Sequence, residues 1–255
     1  AQDPNASSSL DALIANMSVA ERIGQLFLVT FVGDEAPPDS DVAELIQSYR
    51  VGGVVLLASN GNIHNEGDTP AQVAELAGAL QALALSPPAP PTAVPTVPGA
   101  ERLTDEFPVA QPTPTQEVAE EPAAYTPVPL IVAIDHEGDG YPYTRLINGF
   151  TAVPSSMALG ATWSEELAQS IGAIVGTELR AVGVNMLLGP SLDVLDTPRP
   201  AMAGDLGTRS FGGDPYWVGK LGEAYIRGVH LGSEERVATV SKHFPGHGGS
   251  DRRAD

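Results

Sequence analysis

Five short, strongly apolar runs occur along the chain, and stretches with the spacing of amphipathic helices lie between them. The runs occupy residues 26–32, 51–58, 130–134, 184–188 and 237–241. Strands that are apolar along their whole length are typical of parallel sheets, which are covered by helices and buried on both faces. The sequence therefore predicts an α/β fold with a parallel sheet of five strands.

Helix signals separate these runs. Ser18 followed by Glu21 has the form of a capping box, in which the serine oxygen and the glutamate carboxylate bond free amides at a helix start. Ser164 is in the N-cap position of a helix over residues 164–182, whose apolar side chains share one side. Further helices are predicted over residues 41–49, 72–85 and 216–231.

Two segments depart from this alternation. Residues 1–17 read as a polar N-terminal segment. Residues 87–129 contain 12 of the chain's 23 prolines, which remove amide donors and stop both helices and sheet ladders. We expect this second segment to be an inserted, extended loop that is dispensable for stability.

Two architectures fit five parallel strands. A doubly wound sheet is complete with five, whereas a TIM-type (β/α) barrel needs eight. A doubly wound nucleotide-binding domain also requires a Gly-rich turn after its first strand, and this chain has the acids Asp34 and Glu35 there. We therefore predict an incomplete (β/α) barrel over residues 18–255, with about five of eight units. Such a barrel exposes strand edges, so we expect a C-terminal segment or another chain to complete it.

Composition limits the possible partners. The formal net charge is −19, from 13 basic and 32 acidic residues, so nucleic acid is not predicted as a partner. No apolar run approaches the roughly 20 residues that span a bilayer. The chain has no cysteine, and no cofactor is predicted. The start at Ala1, followed by polar residues 2–9, favours an extracytoplasmic or secreted protein over a cytoplasmic one.

Polar side chains cluster immediately after three of the predicted strands, at the edge where parallel-sheet proteins place their active sites. The chain has only two lysines, and one of them, Lys242, directly follows the last strand beside a histidine. A lysine at that position is more than a solvated surface charge requires, and on this observation alone a site role and a surface role both stay open. The clustered residues are Asp135, His136, Glu137, Asp193, Lys242, His243 and His247.

Four motifs in this region resemble successive signatures of glycoside hydrolase family 3. They read IDHEG at 134–138, NMLLGPSLDV at 185–194, TRSFG at 208–212 and KHFPGHG at 242–248. The PGHG ending of the last motif is similar to the β-N-acetylhexosaminidase branch of the family. Apart from the proline-rich segment, the resemblance covers the chain from about Ser18 onward.

The resemblance implies a pocket for one terminal sugar. Asp135 would accept hydrogen bonds from sugar hydroxyls, while Lys242 and His243 would donate to them. Arg209 would donate to the sugar or its N-acetyl group, and Arg145 matches a second arginine of the family across a longer intervening stretch. The chemistry agrees, because a sugar hydroxyl both donates and accepts, and because pairing with Lys242 would keep Asp135 ionised.

Other polar residues have less direct interpretations. Asp193 is expected to organise its loop through backbone hydrogen bonds, and His136 is expected to support the site without touching the sugar. His243 and His247 are four residues apart, a spacing that binds metal on a helix, but Pro245 and Gly246 prevent a helix there. No metal site is predicted.

The catalytic groups are the weakest part of the match. In the family the nucleophile is an aspartate after a late barrel strand, and no strand of this sequence matches it. Hexosaminidases of the family use an Asp-Ser-His triplet for proton transfer, and its positions here are Arg253, Ala254 and Asp255. Asp255, if buried, and His247 are the remaining candidates for the acid/base, although His247 also reads as a residue that shapes its loop.

The resemblance implies that the function is retaining hydrolysis of terminal β-N-acetylhexosaminides from glycans such as peptidoglycan fragments. Because no nucleophile is matched, we expect these 255 residues alone to be inactive. The alternative is a non-catalytic carbohydrate-binding protein or pseudoenzyme that keeps the sugar pocket.

Overall fold

A computed structural model describes residues 4–87, 125–139, 144–197, 206–246 and 248. Its centre is a five-stranded sheet in which every neighbouring pair is parallel. The strands are β1 Leu28–Val29, β2 Gly53–Leu56, β3 Ile131–Ile134, β4 Met186–Leu187 and β5 Ala238–Thr239. The predicted α/β fold with five parallel strands is confirmed.

The strands lie in the sheet in the order β1-β2-β3-β4-β5, which is their order in the chain. A doubly wound sheet reverses direction at a switch point, so its strand order is not sequential. A sheet in which each strand is added beside the previous one is the arrangement of a (β/α) barrel. The strand order therefore argues against the doubly wound alternative.

The paired strands are shorter than the apolar runs that predicted them. Leu130, Val184 and Val237 are almost fully buried although they precede the paired residues of their strands. Apolar character reports burial, and burial extends beyond the ends of the hydrogen-bonded ladder. At the β1 end, Leu26 and Phe27 lie outside the strand and are 82% and 55% exposed.

Seven α-helices occur in the described residues, and five of them were predicted. They are α1 Pro4–Asn16, α2 Val19–Gly24, α3 Asp41–Gln47, α4 Thr69–Leu85, α5 Ser156–Thr162, α6 Glu165–Ala181 and α7 Pro215–Gly232. The capping box of α2 is present, with Glu21 N donating to Ser18 Oγ and Ser18 N donating to Glu21 Oε2. Ser164 caps α6 as predicted. No described helix combines the length and apolarity needed to cross a bilayer.

Two helices were not predicted. Residues 4–16 form α1, where the sequence indicated only a polar segment. The other is α5, a helix of seven residues capped by Ser155, whose Oγ accepts from Ala158 N at 3.1 Å. Helices this short carry too few apolar residues for a periodic signal.

The end of the proline-rich segment packs against the domain. Tyr125 donates its hydroxyl to the carbonyl oxygen of Ala84 in α4, and the Arg50 guanidinium lies 4.2 Å from the centre of the Tyr125 ring. The last residues of the segment thus contact the rest of the domain, and its dispensability for stability stays a prediction. Residues 88–124 lie outside the described residues.

Candidate functional site

Loops after β3, β4 and β5 meet at the carboxyl edge of the sheet. Ser191 and Lys242 form a further parallel bridge beyond the paired strands. Leu192 N donates to the Lys242 carbonyl oxygen at 2.6 Å, and Lys242 N donates to the Pro190 carbonyl oxygen at 3.1 Å. The Lys242 backbone is therefore fixed beside the loop after β4, and its side chain faces the loop after β3.

The Lys242 ammonium contacts two carboxylates. Its Nζ donates to Asp135 Oδ1 at 2.8 Å and also pairs with Glu137 Oε1. The Lys242 and Asp135 side chains are 15% and 28% exposed, whereas the Glu137 side chain is 3% exposed. The predicted pairing of Asp135 with Lys242 is present, and Asp135 is the more accessible of the two carboxylates.

Arg209 lies in a short 3₁₀ turn, Gly207–Arg209, and binds Glu137 with two hydrogen bonds. Its Nε donates to Glu137 Oε2 at 2.6 Å and its Nη2 donates to Oε1 at 2.9 Å. Both side chains are almost completely buried. The structure thus places two Arg209 donors on a protein carboxylate, where the sequence analysis expected them to reach a sugar.

The two carboxylates have opposite pKa shifts. Burial alone would raise the pKa of Glu137, but hydrogen bonds from Arg209 and Lys242 and the charges of both residues hold the pKa at about 2. The pKa of Asp135 is raised, first by burial and then by the charge of Glu137, and Lys242 only partly offsets this. Lys242 therefore lowers the pKa of Asp135, in the direction that the sequence argument expected, but burial and Glu137 outweigh it.

Arg145 lies on the other side of Asp135, with its Nη2 3.9 Å from Asp135 Oδ2. Its backbone is held by Asn65, which donates to the Arg145 carbonyl oxygen at 2.8 Å and accepts from Ile147 N at 2.8 Å. Among the described residues, Arg145 Nε is buried without a hydrogen-bond partner. A buried donor without a partner is unfavourable, so a ligand acceptor there would be stabilising.

His136 is buried and contacts the backbone of the segment that carries Arg145. It is 4% exposed, and its Nδ1 accepts a long hydrogen bond from Leu146 N at 3.4 Å. Burial, assisted by the charge of Arg145, lowers the pKa of His136 to about 4. His136 is therefore neutral at pH 7 and holds the backbone next to Arg145.

Asp193 binds His243 through both the backbone and the imidazole. Its Oδ2 accepts from His243 N at 3.2 Å and lies 2.6 Å from His243 Nδ1. The Asp193 side chain is fully buried, and the His243 side chain is 35% exposed. The backbone contact fits the predicted loop-organising role, and the imidazole contact adds a second role that the spacing of the residues did not indicate. Because Asp193 binds Nδ1, it fixes the orientation of the imidazole ring, and Nε2 is the ring nitrogen that faces away from Asp193.

The remaining sequence candidates are not located. His247 and Asp255 lie outside the described residues, so their predicted roles stay predictions. Within the described part of the chain, no group of three or more His, Cys, Asp or Glu side chains could hold a metal ion.

Glu137 and Asn65 are the site residues that sequence reasoning missed. Glu137 was seen as part of the polar cluster but was given no role. An available signal was its place two residues after Asp135, in a chain with only one lysine at this edge. Asn65 follows β2 by several residues and gave no signal.

A parallel α/β sheet with acidic and basic side chains gathered at its carboxyl edge defines a ligand-binding site of the kind found in (β/α) enzymes. The sequence model described as the N-terminal domain of glycosyl hydrolase family 3 matches residues 99–254, more than half of the chain. The chain belongs to this family.

Individual relatives agree with this assignment. A β-hexosaminidase of Thiobacillus denitrificans is 39% identical over 137 residues, which are 51% of this chain and 36% of that protein. A β-hexosaminidase of Hydrogenovibrio crunogenus is 40% identical over 125 residues, covering 47% of this chain and 32% of the relative. The matched stretch thus spans about a third of these curated relatives.

Solved structures are similar over nearly the whole chain. A family 3 β-N-acetylglucosaminidase from Paenibacillus sp. str. FPU-7 superposes with a TM-score of 0.64 and 36% identity, over 91% of this chain and 34% of that one. A β-N-acetylhexosaminidase from Beutenbergia cavernae has a TM-score of 0.63 and 27% identity, over 90% of this chain and 54% of that one.

Proposed function

We propose that this chain supplies the sugar-binding part of a family 3 β-N-acetylhexosaminidase. The substrate would be a terminal β-N-acetylhexosaminide in glycans such as peptidoglycan fragments. The observation that carries the proposal is the partly exposed Asp135 carboxylate, which lies between Lys242 and Arg145, together with the buried Arg145 Nε that lacks a partner in the described residues.

This arrangement suits one pyranose ring. Sugar hydroxyls donate to a carboxylate and accept from cationic donors, and Asp135 and Arg145 offer both kinds of partner within a few ångströms of each other. His243, oriented by Asp193 and partly exposed, adds an imidazole at the same edge. Arg209 contributes through Glu137, which leaves Asp135, Arg145, Lys242 and His243 as the proposed sugar contacts.

The proposed chemistry is a double displacement with retention. A carboxylate attacks the anomeric carbon while an acid protonates the leaving oxygen, and water then cleaves the glycosyl ester with the same residue acting as base. Of the carboxylates that the structure describes at this edge, Glu137 and Asp193 are too buried to reach an anomeric carbon, and we assign Asp135 to the hydroxyls. We therefore propose that the nucleophile lies in a part of the barrel that the relatives have beyond the matched stretch.

The sheet supports a barrel as the complete architecture. Its strand order is sequential, and apolar residues at both ends are open to solvent, with Val32 85% exposed beyond β1 and Phe244 97% exposed beyond β5. Such exposure is unfavourable unless further structure covers it. We propose that further (β/α) units, from the same polypeptide or from another chain, pair with β1 and β5.

The test is the stereochemistry of hydrolysis by the native protein isolated from its source. Proton NMR during hydrolysis of an aryl β-N-acetylglucosaminide should detect the β-anomer of N-acetylglucosamine first, because two displacements restore the configuration. First release of the α-anomer would refute retention. Binding without turnover would favour the carbohydrate-binding alternative, and turnover by purified residues 1–255 would refute the proposed location of the nucleophile.

The acid/base is tested on the same protein with two leaving groups. An activated aryl glycoside needs little protonation, whereas an N-acetylglucosamine disaccharide needs a proton donor. We propose that His247→Ala or Asp255→Ala slows only the disaccharide. If neither variant slows hydrolysis of either substrate, the proton donor is a different residue.

A further inference from the structure

Glu137 connects the two cations that follow different strands of the sheet. Its Oε2 accepts from Arg209 Nε, and its Oε1 accepts from Arg209 Nη2 and pairs with Lys242 Nζ. Both oxygens are therefore engaged by protein cations, and the side chain is 3% exposed. Almost no surface remains through which Glu137 could contact a ligand.

The charges explain why this carboxylate is needed. Arg209 and Lys242 repel each other, and burial keeps water from screening that repulsion. An anion bound to both makes their close approach favourable. Tyr225 is also buried near this cluster, and its pKa is raised by burial and by the charge of Glu137.

The contacts continue from Glu137 to the accessible part of the site. Lys242 bridges Glu137 to Asp135 Oδ1, to which it donates at 2.8 Å. Arg209 lies in the turn Gly207–Arg209, and this loop packs on α5, where a Cβ on Gly160 would overlap the Phe211 carbonyl oxygen. One buried carboxylate thus ties together the loops after β3, β4 and β5.

We propose that Glu137 is a positioning residue of the sugar site, which holds Lys242 against Asp135 and Arg209 in its loop without contacting the sugar. The identity of the ligand rests on the proposed function, but the positioning role does not. Glu137 is not the acid/base, because its side chain is buried against two cations and its pKa of about 2 leaves it ionised at neutral pH.

The chain's lysine content allows a direct test of the positioning role. Lys242 and Lys220 are the only lysines, so Lys220 in α7 is an internal reference for acylation by a limiting amine-reactive ester. Peptide mass spectrometry gives the ratio of Lys242 to Lys220 modification. We expect Glu137→Gln to raise this ratio about tenfold, because the ammonium loses its buried charged partner and keeps only the partly exposed Asp135.

The matched control is Glu21→Gln, which removes another buried glutamate that lies near an arginine, Arg50, outside the site. It should leave the ratio unchanged. Glu137→Asp keeps the charge but is one methylene shorter, so it should fold and give an intermediate ratio. Circular dichroism identifies the folded variants, and an unchanged Lys242 ratio in a folded Glu137 variant would overturn the proposal.

Sugar affinity separates this proposal from the proposed function. If the wild-type chain binds N-acetylglucosamine, Glu137→Gln should raise the Kd about tenfold, and Glu137→Asp should restore part of the lost affinity. An unchanged Kd in both folded variants would overturn the positioning role. If the wild-type chain binds no N-acetylglucosamine, the proposed function fails while the lysine ratio still decides the role of Glu137.

Discussion

Neighbouring residues in the loop after β3 lie in environments that give them different charge states at neutral pH. Burial and the charge of Arg145 keep His136 neutral, while the cations beside Glu137 keep it ionised. Asp135, which precedes both in the chain, has the solvent exposure that a ligand needs. The loop therefore combines one supporting imidazole, one structural carboxylate and one accessible carboxylate.

His136 should make stability depend on pH. Its pKa is about 4 in the folded chain against 6.5 for the ordinary group, so the unfolded chain binds the proton first. Stability is therefore present above pH 6.5 and is lost as the pH falls towards 4, by at most about 1.4 kcal/mol per pH unit. Denaturant titrations at several pH values give the free energy of unfolding as a function of pH. Its slope between pH 4 and 6.5 should be smaller for His136→Gln than for the wild type, and equal slopes would contradict the burial argument.

Sequence reasoning at the residue scale found Asp135, Lys242 and their pairing, because opposite charges after neighbouring parallel strands meet at one edge. It did not find the role of Glu137. That role depends on where the loop carrying Arg209 returns to the sheet, some 72 residues further along the chain. No periodicity or spacing encodes such a return.

Helices α6 and α7 pack closely because glycines remove the side chains between their backbones. A Cβ on Gly172 or Gly176 of α6 would overlap the carbonyl oxygens of Tyr225 or Val229 in α7. In return, Gly228 and Gly232 of α7 lie against carbonyl oxygens of α6. Helix-interior glycine is otherwise unfavourable, so close packing is the reason for these four.

Gly176→Ala should destabilise the domain by about 1–3 kcal/mol, since the added methyl group forces the helices apart. The matched control is Gly219→Ala in α7, where open space surrounds the added carbon. That change should be stabilising by about 0.5–1 kcal/mol, because alanine loses less entropy in a helix. Free energies of unfolding from denaturant titration decide the outcome, and equal effects of the two substitutions would refute the packing argument.

Element boundaries were predicted best where a periodic pattern was long. The apolar stripe and the Ser164 cap located α6 to within a residue at each end, and a similar pattern located α7. The pairing of α6 with α7 could not be predicted from sequence, because the glycines of each helix are explained only by close contact with the backbone of the other. Strand lengths were overestimated, since apolar runs continue into buried residues that have no ladder partner.

At the scale of the whole molecule, the sequential sheet and the family membership agree with the barrel interpretation, and the end of the proline-rich insertion contacts the rest of the domain. Tyr125, near the end of the insertion, donates to the carbonyl oxygen of Ala84 at the C-terminal end of α4, just before the insertion begins, so the two ends of the insertion lie together. Composition indicated the absence of regular structure but could not indicate where the chain rejoins the domain.

The central claim is that Asp135 anchors an N-acetylhexosamine at the carboxyl edge of this sheet. Isothermal titration of the chain with N-acetylglucosamine tests it most directly, with Asp135→Ala as the test variant. The control is Asp34→Ala, which removes an exposed aspartate paired with His64 at 3.0 Å after β1. We predict saturable binding by the wild-type chain. Asp135→Ala should weaken it about a hundredfold, as expected when a charged hydrogen-bonding partner is removed, and Asp34→Ala should leave it unchanged. Binding that both variants retain equally, or no binding by the wild-type chain, would contradict it.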